Sequence, residues 1–229
     1  MIKVIDTEKM NTYIKKYRIN EMFSIDVSDY MNLYMFSKNE HICKEDDMLN
    51  TMFFVVDGKA KVYKNLANGK SLLLSFYKPF TVIGDIEFLD NNRADCSVQA
   101  IKDTYCIGIG FSIINEKLMN DCKFLKYRCK YLGEKLRSSS NNSSINLLYP
   151  LENRLSSYIL AFINEETNNM RFIFDGGYNE TAELLGTSYR HLNRTLNKLC
   201  NEGIIRKKDN SFIVSDLKKL KDLSGDLYR

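Results

Sequence analysis

From Met31 to Ile109 the apolar positions come in short runs separated by turn residues. Met52-Phe53-Phe54-Val55-Val56 precedes Asp57-Gly58, Ala60-Lys61-Val62-Tyr63 follows, and Leu72-Leu73-Leu74-Ser75-Phe76-Tyr77 comes after that. Runs of this length, broken every roughly 8–12 positions, predict an all-β sandwich or barrel-like roll. Asn68-Gly69 between two of them predicts a tight hairpin, because type I′ turns need φ > 0. Residues 1 to 30 read as helical in parts, without a strong signal.

Beyond Ile109 the period becomes helical. Phe111 to Met119 reads as one short helix, and Asn120-Asp121 can end it and cap the next. From Asp121 onward Leu125, Cys129, Leu132 and Leu136 alternate at spacings of four, three and four. That narrow stripe predicts the seam of a two-stranded coiled coil, with cysteine at an a-type position. The plainer reading is an amphipathic helix packed on its own domain. The run Ser138-Ser139-Ser140-Asn141-Asn142-Ser143-Ser144 reads by local propensity as a linker, since Ser and Asn side chains compete with the helical backbone for hydrogen bonds. A domain boundary is expected near Leu148. Pro150 suits the first turn of a helix from about Leu151 to Asn164 that buries Leu155, Ile159 and Phe162.

Tyr178 to Leu199 has the spacing of a helix-turn-helix. A small residue, Ala182, lies inside the first helix, and Gly186 follows at the turn, where φ > 0 is needed. Leu192 anchors the second helix, and Thr187-Ser188 supply its N-cap. Leu184, Leu185, Leu192, Leu196 and Leu199 fill the inner face. Tyr189, Arg190, Asn193 and Arg194 point outward near the start of the second helix. Arg pairs bidentately with guanine and Asn with adenine, so these are side chains that read base edges in the major groove. An ordinary helical hairpin with a solvated basic face would give a similar string. Asn201 to Val214 then places two β-branched runs around Lys207-Lys208-Asp209-Asn210-Ser211. This predicts a hairpin wing whose basic tip, Lys207 and Lys208, touches phosphates.

Composition sharpens the picture locally. The net charge of +4 decides nothing, but between Gly186 and Lys208 stand six basic residues and one acidic residue. The six cysteines lack C-x-x-C spacing and the two histidines lie far apart, which leaves no expected zinc site, cofactor or His-based catalysis. No apolar run approaches the roughly 20 residues of a membrane span. The first 20 positions show no signal-peptide pattern, so a cytoplasmic protein with reduced thiols is expected.

Over about residues 25 to 220 the chain resembles the Crp/Fnr family of bacterial regulators. Met52 to Val62 looks like that family's strands around a fixed glycine. Val82-Ile83-Gly84-Asp85-Ile86 looks like the start of its phosphate-binding cassette. Leu185 to Leu199 looks like its recognition helix, and Leu185-Gly186-Thr187-Ser188-Tyr189-Arg190-His191-Leu192 is most similar to the YeiL-type branch. The resemblance implies an α+β chain: an N-terminal cyclic-nucleotide-binding-like β-roll (double-stranded jelly roll) with flanking helices over 1–120, a long dimerisation helix and hinge over 121–148, and a winged helix-turn-helix over 149–229. It carries the dimerisation helix through the Ser/Asn run, against the propensity reading. It implies a homodimer that reads a two-fold operator in double-stranded DNA through Thr187–Leu199, with RNA polymerase and a small effector as partners. An effector pocket would involve Gly84, Asp85, Arg93, Asp95, Ser139 and Ser140.

Departures from the family pattern bear on the effector. Cyclic-AMP members place Arg and then Ser or Thr before a strand that here reads Cys96-Ser97-Val98-Gln99-Ala100, but the preceding pair is Ala94-Asp95. An aspartate there would repel a phosphate. Arg93 is one position early, and a one-residue slip sends a strand side chain to the opposite face unless a bulge restores it. Cyclic AMP is therefore not the expected effector. No cysteine precedes Cys43 to hold an iron-sulfur cluster, and His41 in a turn is a poor haem ligand. An unidentified small ligand, oxidation of Cys129 and control by abundance alone remain as modes of regulation. The alternative is a degenerate sensor or protein-interaction module. The roll lacks H-x-H and G-x-S-x-G patterns, so no enzyme is expected.

Overall fold

The computed structural model describes every residue except 68, 90–92, 164–168, 175–176, 210 and 226–229, with residues 139 and 141–147 described by their backbone alone. Asn68, Asn164 and Asn210, each part of an expected turn or helix end, thus lie outside the described residues. The chain forms two compact units. One comprises Met1–Lys64 with Phe76–Ser139, and the other comprises Asn65–Ser75 with the chain from Ser140 onward.

The first unit opens with strand β1 (Ile2–Val4) and helix α1 (Thr7–Lys16), whose start is capped by the Asp6 carboxylate accepting from Lys9 N at 2.9 Å. Strands β2 (Met31–Phe36), β3 (His41–Cys43), β4 (Thr51–Asn65), β6 (Val82–Ile83) and β7 (Ser97–Gly110) follow, with β5 (Ser71–Tyr77) between β4 and β6 along the chain and divided at Ser75 between the two units. They build a seven-stranded sheet in the order β1-β2-β7-β4-β5, with β3 on β7 and β6 on β4. The two long strands β4 and β7 run antiparallel, with Met52 opposite Ile109 and Phe54 opposite Ile107, all four buried, while Phe36 of β2 packs edge-on against Phe53.

Sequence periodicity divided β4 into two strands at Asp57-Gly58, whereas the structure keeps one bulged strand. Its register against β7 shifts at Val55/Asp57, Asp57/Lys59 and Lys59/Ala60. Gly58 has φ +101°, and a Cβ there would stand 2.5 Å from Thr104 Cα. The bulge turns the strand without ending it, and only glycine fits beneath Thr104.

After β7, helix α2 (Phe111–Ile113) runs into a π-helical turn over Ile114–Leu118. Helix α3 (Cys122–Leu148) follows and continues as helix through the Ser/Asn run that local propensity marked as a linker. Asp121 caps it, accepting from Lys123 N at 2.9 Å and Phe124 N at 3.3 Å, and it also receives Ser24 N and Ser24 Oγ, each at 2.7 Å. Phe124 stacks on Phe23 with centroids 5.6 Å apart, which fixes the rotation of α3 against its own unit.

The second unit contains helices α4 (Leu151–Phe162), α5 (Gly177–Leu184), α6 (Tyr189–Asn201) and α7 (Leu217–Ser224), with strands β8 (Arg171–Phe172), β9 (Ile205–Lys208) and β10 (Ser211–Val214). Pro150 occupies the N-cap of α4, and the helix buries Leu155 and Ile159 fully and Phe162 in part. The strands pair β8-β10-β9. Phe172 stacks on Phe212 with centroids 5.3 Å apart and closes the sheet over the helices.

Candidate nucleic-acid interface

Local chemistry sets the angle between α5 and α6. Gly186 adopts φ +61°, and the two hydrogen bonds of a Schellman cap close α5. Gly186 N donates to Glu183 O at 2.9 Å and Thr187 N donates to Ala182 O at 2.8 Å. A left-handed glycine satisfies the last carbonyls of α5 and reverses the chain within two residues. Ser188 then caps α6, its Oγ accepting from His191 N at 3.2 Å. Thr187 Oγ1 lies 3.2 Å from His191 Nδ1, so the cap is tied by two side chains rather than one. The Arg154 guanidinium of α4 donates to the Leu185 carbonyl in the same turn.

This geometry sorts the faces of α6. Leu192, Leu196 and Leu199 are buried with Ala182, Leu184 and Leu185 of the preceding segment. Tyr189, Arg190 and Arg194 are exposed, and Asn193 is half-buried on the same flank. Tyr189 leans edge-on against Tyr178, centroids 6.1 Å apart, which holds its ring while its hydroxyl end reaches solvent. The site thus combines an N-capped helix with the exposed guanidinium groups of Arg190 and Arg194.

The wing forms as β9 and β10, with Ser211 opposite Lys208 and Phe212 opposite Lys207. Lys207 and Lys208 are exposed residues of β9 itself rather than of the turn, which begins at Asp209 with φ +52°. Strand pairing extends to the turn because Ser211 Oγ donates to Lys208 O at 2.8 Å and accepts from Arg171 Nε at 2.8 Å.

Two features of this face escaped the sequence reading. A cavity of about 310 Å³ lies beside α6, lined by Pro150, Leu151, Glu152, His191, Arg194, Thr195 and Lys198. Across it Lys198 pairs with Glu152, 46 residues earlier in the chain. No local pattern marks such a pair.

Of the expected effector residues, Gly84, Asp85, Arg93, Asp95 and Ser139 lie in the first unit and Ser140 in the second. Asp85 is 1% exposed, and its partners come from α3. Lys135 Nζ stands 2.7 Å from Asp85 Oδ1, Arg128 NH2 stands 3.6 Å from Oδ2, and Arg128 NH2 donates to the Asp85 carbonyl at 2.9 Å. Tyr131 of α3 accepts from Val82 N at 2.8 Å, so the segment Val82–Asp85 is bound to the helix at several points. Burial alone would pull the Lys135 ammonium down, but Tyr77 and Asp85 outweigh it and the net direction is up. Burial lowers the Arg128 guanidinium and raises the Tyr77 hydroxyl to about 12.

Gly84 beside Asp85 has φ +81° and sits against Leu49 and Thr51. Arg93 and Asp95 are exposed, and Arg93 donates to the Asp46 carbonyl at 2.8 Å. Ser140 is exposed, and the side chain of Ser139 lies outside the described residues. On the stripe of α3, Leu125 and Leu132 are half-buried, Cys129 is exposed and Leu136 is 72% exposed. Among the described residues no cluster of His, Cys, Asp or Glu is placed to hold a metal, and no helix is long and apolar enough to cross a membrane.

Comparison with known proteins accords with this geometry. Residues 35–121 match the cyclic nucleotide-binding domain and residues 153–223 match the Crp-like helix-turn-helix domain. The chain is similar to the regulatory protein YeiL of Escherichia coli O157:H7, 29% identical over 90% of this chain and 92% of that protein. It is 20% identical to a CRP-like cAMP-activated global transcriptional regulator of Mycobacterium tuberculosis over 81% of this chain and 84% of that one. A solved crp/fnr-family structure from Eubacterium rectale shares the fold at TM-score 0.71 and 18% identity, over 87% of this chain and 92% of the other.

Proposed function

This chain has the fold of a DNA-binding transcription regulator of the Crp/Fnr family, and from that premise we propose that it acts as a homodimer reading a two-fold operator through Thr187–Leu199 without cyclic AMP. The observation that carries the reading is α6, N-capped by Ser188, with Arg190 and Arg194 exposed over a fully buried leucine face. Arginine near the N-terminus of a groove-entering helix can reach guanine O6 and N7. Thr187 and Ser188 hold the end of that helix. Tyr189 and Asn193 extend its reading surface, and Lys207 and Lys208 contact phosphate and set position.

Independence from cyclic AMP rests on charge. A cyclic nucleotide brings a phosphate, yet Ala94 and Asp95 stand where cyclic-AMP members carry arginine and then serine or threonine, and the carboxylate of Asp85 is engaged by α3. The YeiL-like string Leu185 to Leu192, together with the similarity to YeiL, supports placement in that branch. Dimerisation is assigned to the stripe Leu125, Cys129, Leu132 and Leu136. The cytoplasm, where operator and RNA polymerase are found, is the expected compartment.

Fluorescence anisotropy with the chain's own promoter fragment and a scrambled fragment, at two salt concentrations and with or without cyclic AMP, tests this. Tighter binding to the promoter at the higher salt, unchanged by cyclic AMP, supports the reading. Equal binding to both fragments that salt abolishes contradicts sequence recognition, and activation by cyclic AMP contradicts the effector assignment.

A further inference from the structure

Phe124, Arg128, Tyr131 and Lys135 of α3 are committed to the chain's own roll. One position further round the helix runs a second row: Cys122, Leu125, Cys129, Leu132 and Leu136. Its spacings of three and four place Cys122, Cys129 and Leu136 at a positions and Leu125 and Leu132 at d. Leucine at d favours two strands. Cys122 and Cys129 are both exposed and stand one heptad apart, about 10 Å along the axis at 1.5 Å per residue.

In a parallel, in-register pair each a residue faces its own symmetry mate. Bridging needs Cβ atoms about 3.5–4.5 Å apart, and cysteine is small enough to let the helix backbones approach. The other four cysteines are less suited to oxidation. Cys43 and Cys106 are buried, and burial pushes the Cys43 thiol up to about 12 and that of Cys106 higher still. Burial also raises Cys96 and Cys200. Thiols held protonated are poor nucleophiles.

We propose that Cys122 and Cys129 form a two-rung redox staple, each oxidised to an interchain disulfide with the same residue of a second copy of this chain. The inference rests on the homodimer reading of α3. A peroxide is the oxidant. One thiolate sulfur takes an oxygen as the O–O bond breaks, giving a sulfenic acid and, after protonation, water. The mate's thiolate attacks that sulfur, the S–O bond breaks and a second water leaves. Two thiols lose two protons and two electrons in all, and one peroxide becomes two waters. The oxidised dimer then no longer dissociates on dilution, so operator occupancy at low protein concentration comes under redox control.

The test uses the full chain, reduced and then treated with hydrogen peroxide, run on denaturing gels without reductant, with crosslinked peptides identified by mass spectrometry. The wild type should run as a covalent dimer with Cys122–Cys122 and Cys129–Cys129 peptide pairs. Cys122→Ser and Cys129→Ser should each keep one pair, and the double variant should keep none while still sedimenting as a dimer. A reduced dimer that peroxide fails to crosslink, or crosslinks through Cys43, Cys96 or Cys200, overturns the staple and leaves the dimer standing. A reduced chain that sediments as a monomer at micromolar concentration overturns the dimer reading and the staple with it.

Discussion

Arg190 stands two positions after the capping serine of α6, exposed, with its whole guanidinium free to approach a base edge. Truncating it to alanine, or truncating Arg194, should cost about 1–3 kcal/mol of operator affinity and relax preference at one base pair of each half-site. Lys207→Ala should instead weaken all sequences alike and lower the salt slope by about 1. Competition titrations of the three variants against single-base operator changes separate these outcomes. Residues of this class were legible in the sequence because their geometry is local. Gly186, Ser188 and Leu192 lie within seven positions and define their own turn. Lys198 and Glu152 were not legible, because the helix that carries Glu152 packs beside α6 only in the folded unit.

At the scale of an element, α3 is held to its own roll along one face. Asp85 forms ion pairs with two α3 cations, Arg128 and Lys135, and Arg128 Nε and NH1 have no hydrogen-bond partner among the described residues. Asp85→Ala therefore leaves buried positive charge uncompensated and should cost about 3–5 kcal/mol, toward the lower end because the Lys135 side chain, 35% exposed, can turn to water. Lys135→Met, which leaves Arg128 facing Asp85, should cost less. Urea denaturation orders the two.

The helix start adds a pH dependence. Burial would raise the Asp121 carboxyl, but hydrogen bonds from Ser24, Phe124 and Lys123 outweigh it and set it below the ordinary aspartate value. A depressed carboxylate stabilises the fold above its unfolded pKa of about 3.9 and loses that contribution as pH falls through the lower folded value. Asp121→Ala should thus be less stable than wild type by about 1–2 kcal/mol near neutrality, with the gap closing below about pH 4.

The same helix shows where local propensity misleads. Ser138 to Ser144 has the composition of a linker, yet the backbone continues as helix to Leu148. A long helix already nucleated and anchored upstream adds each further residue at small cost. Likewise β4 crosses Asp57-Gly58 unbroken because Thr104 on β7 dictates the bulge, a contact 46 residues away that no window of sequence contains.

At the scale of the whole molecule, the exposed row on α3 and the reading face of α6 make one joint demand. A two-fold operator needs two copies of α6, and in the homodimer proposed above the row on α3 would supply the contact between copies. Leu132→Asp, at a d position of that row, should convert the dimer to a monomer in sedimentation and cost operator binding at least tenfold, while leaving the circular dichroism spectrum of the roll unchanged. The roll, the helix-turn-helix and the wing were all legible in outline, since β alternation and helical period repeat along each element. The engagement of Asp85 by α3 was not, because it joins Asp85 to residues 43 and 50 positions later.

Selection of binding sites from random duplex DNA by the full-length chain, with no nucleotide added, bears most directly on recognition by a homodimer through α6. The enriched sites should be two-fold symmetric, with half-sites spaced by about one helical turn or a multiple of it, and selection with Arg190→Ala should lose one base preference symmetrically in both halves. Enrichment of a single asymmetric half-site, or a motif unchanged by Arg190→Ala, would contradict it.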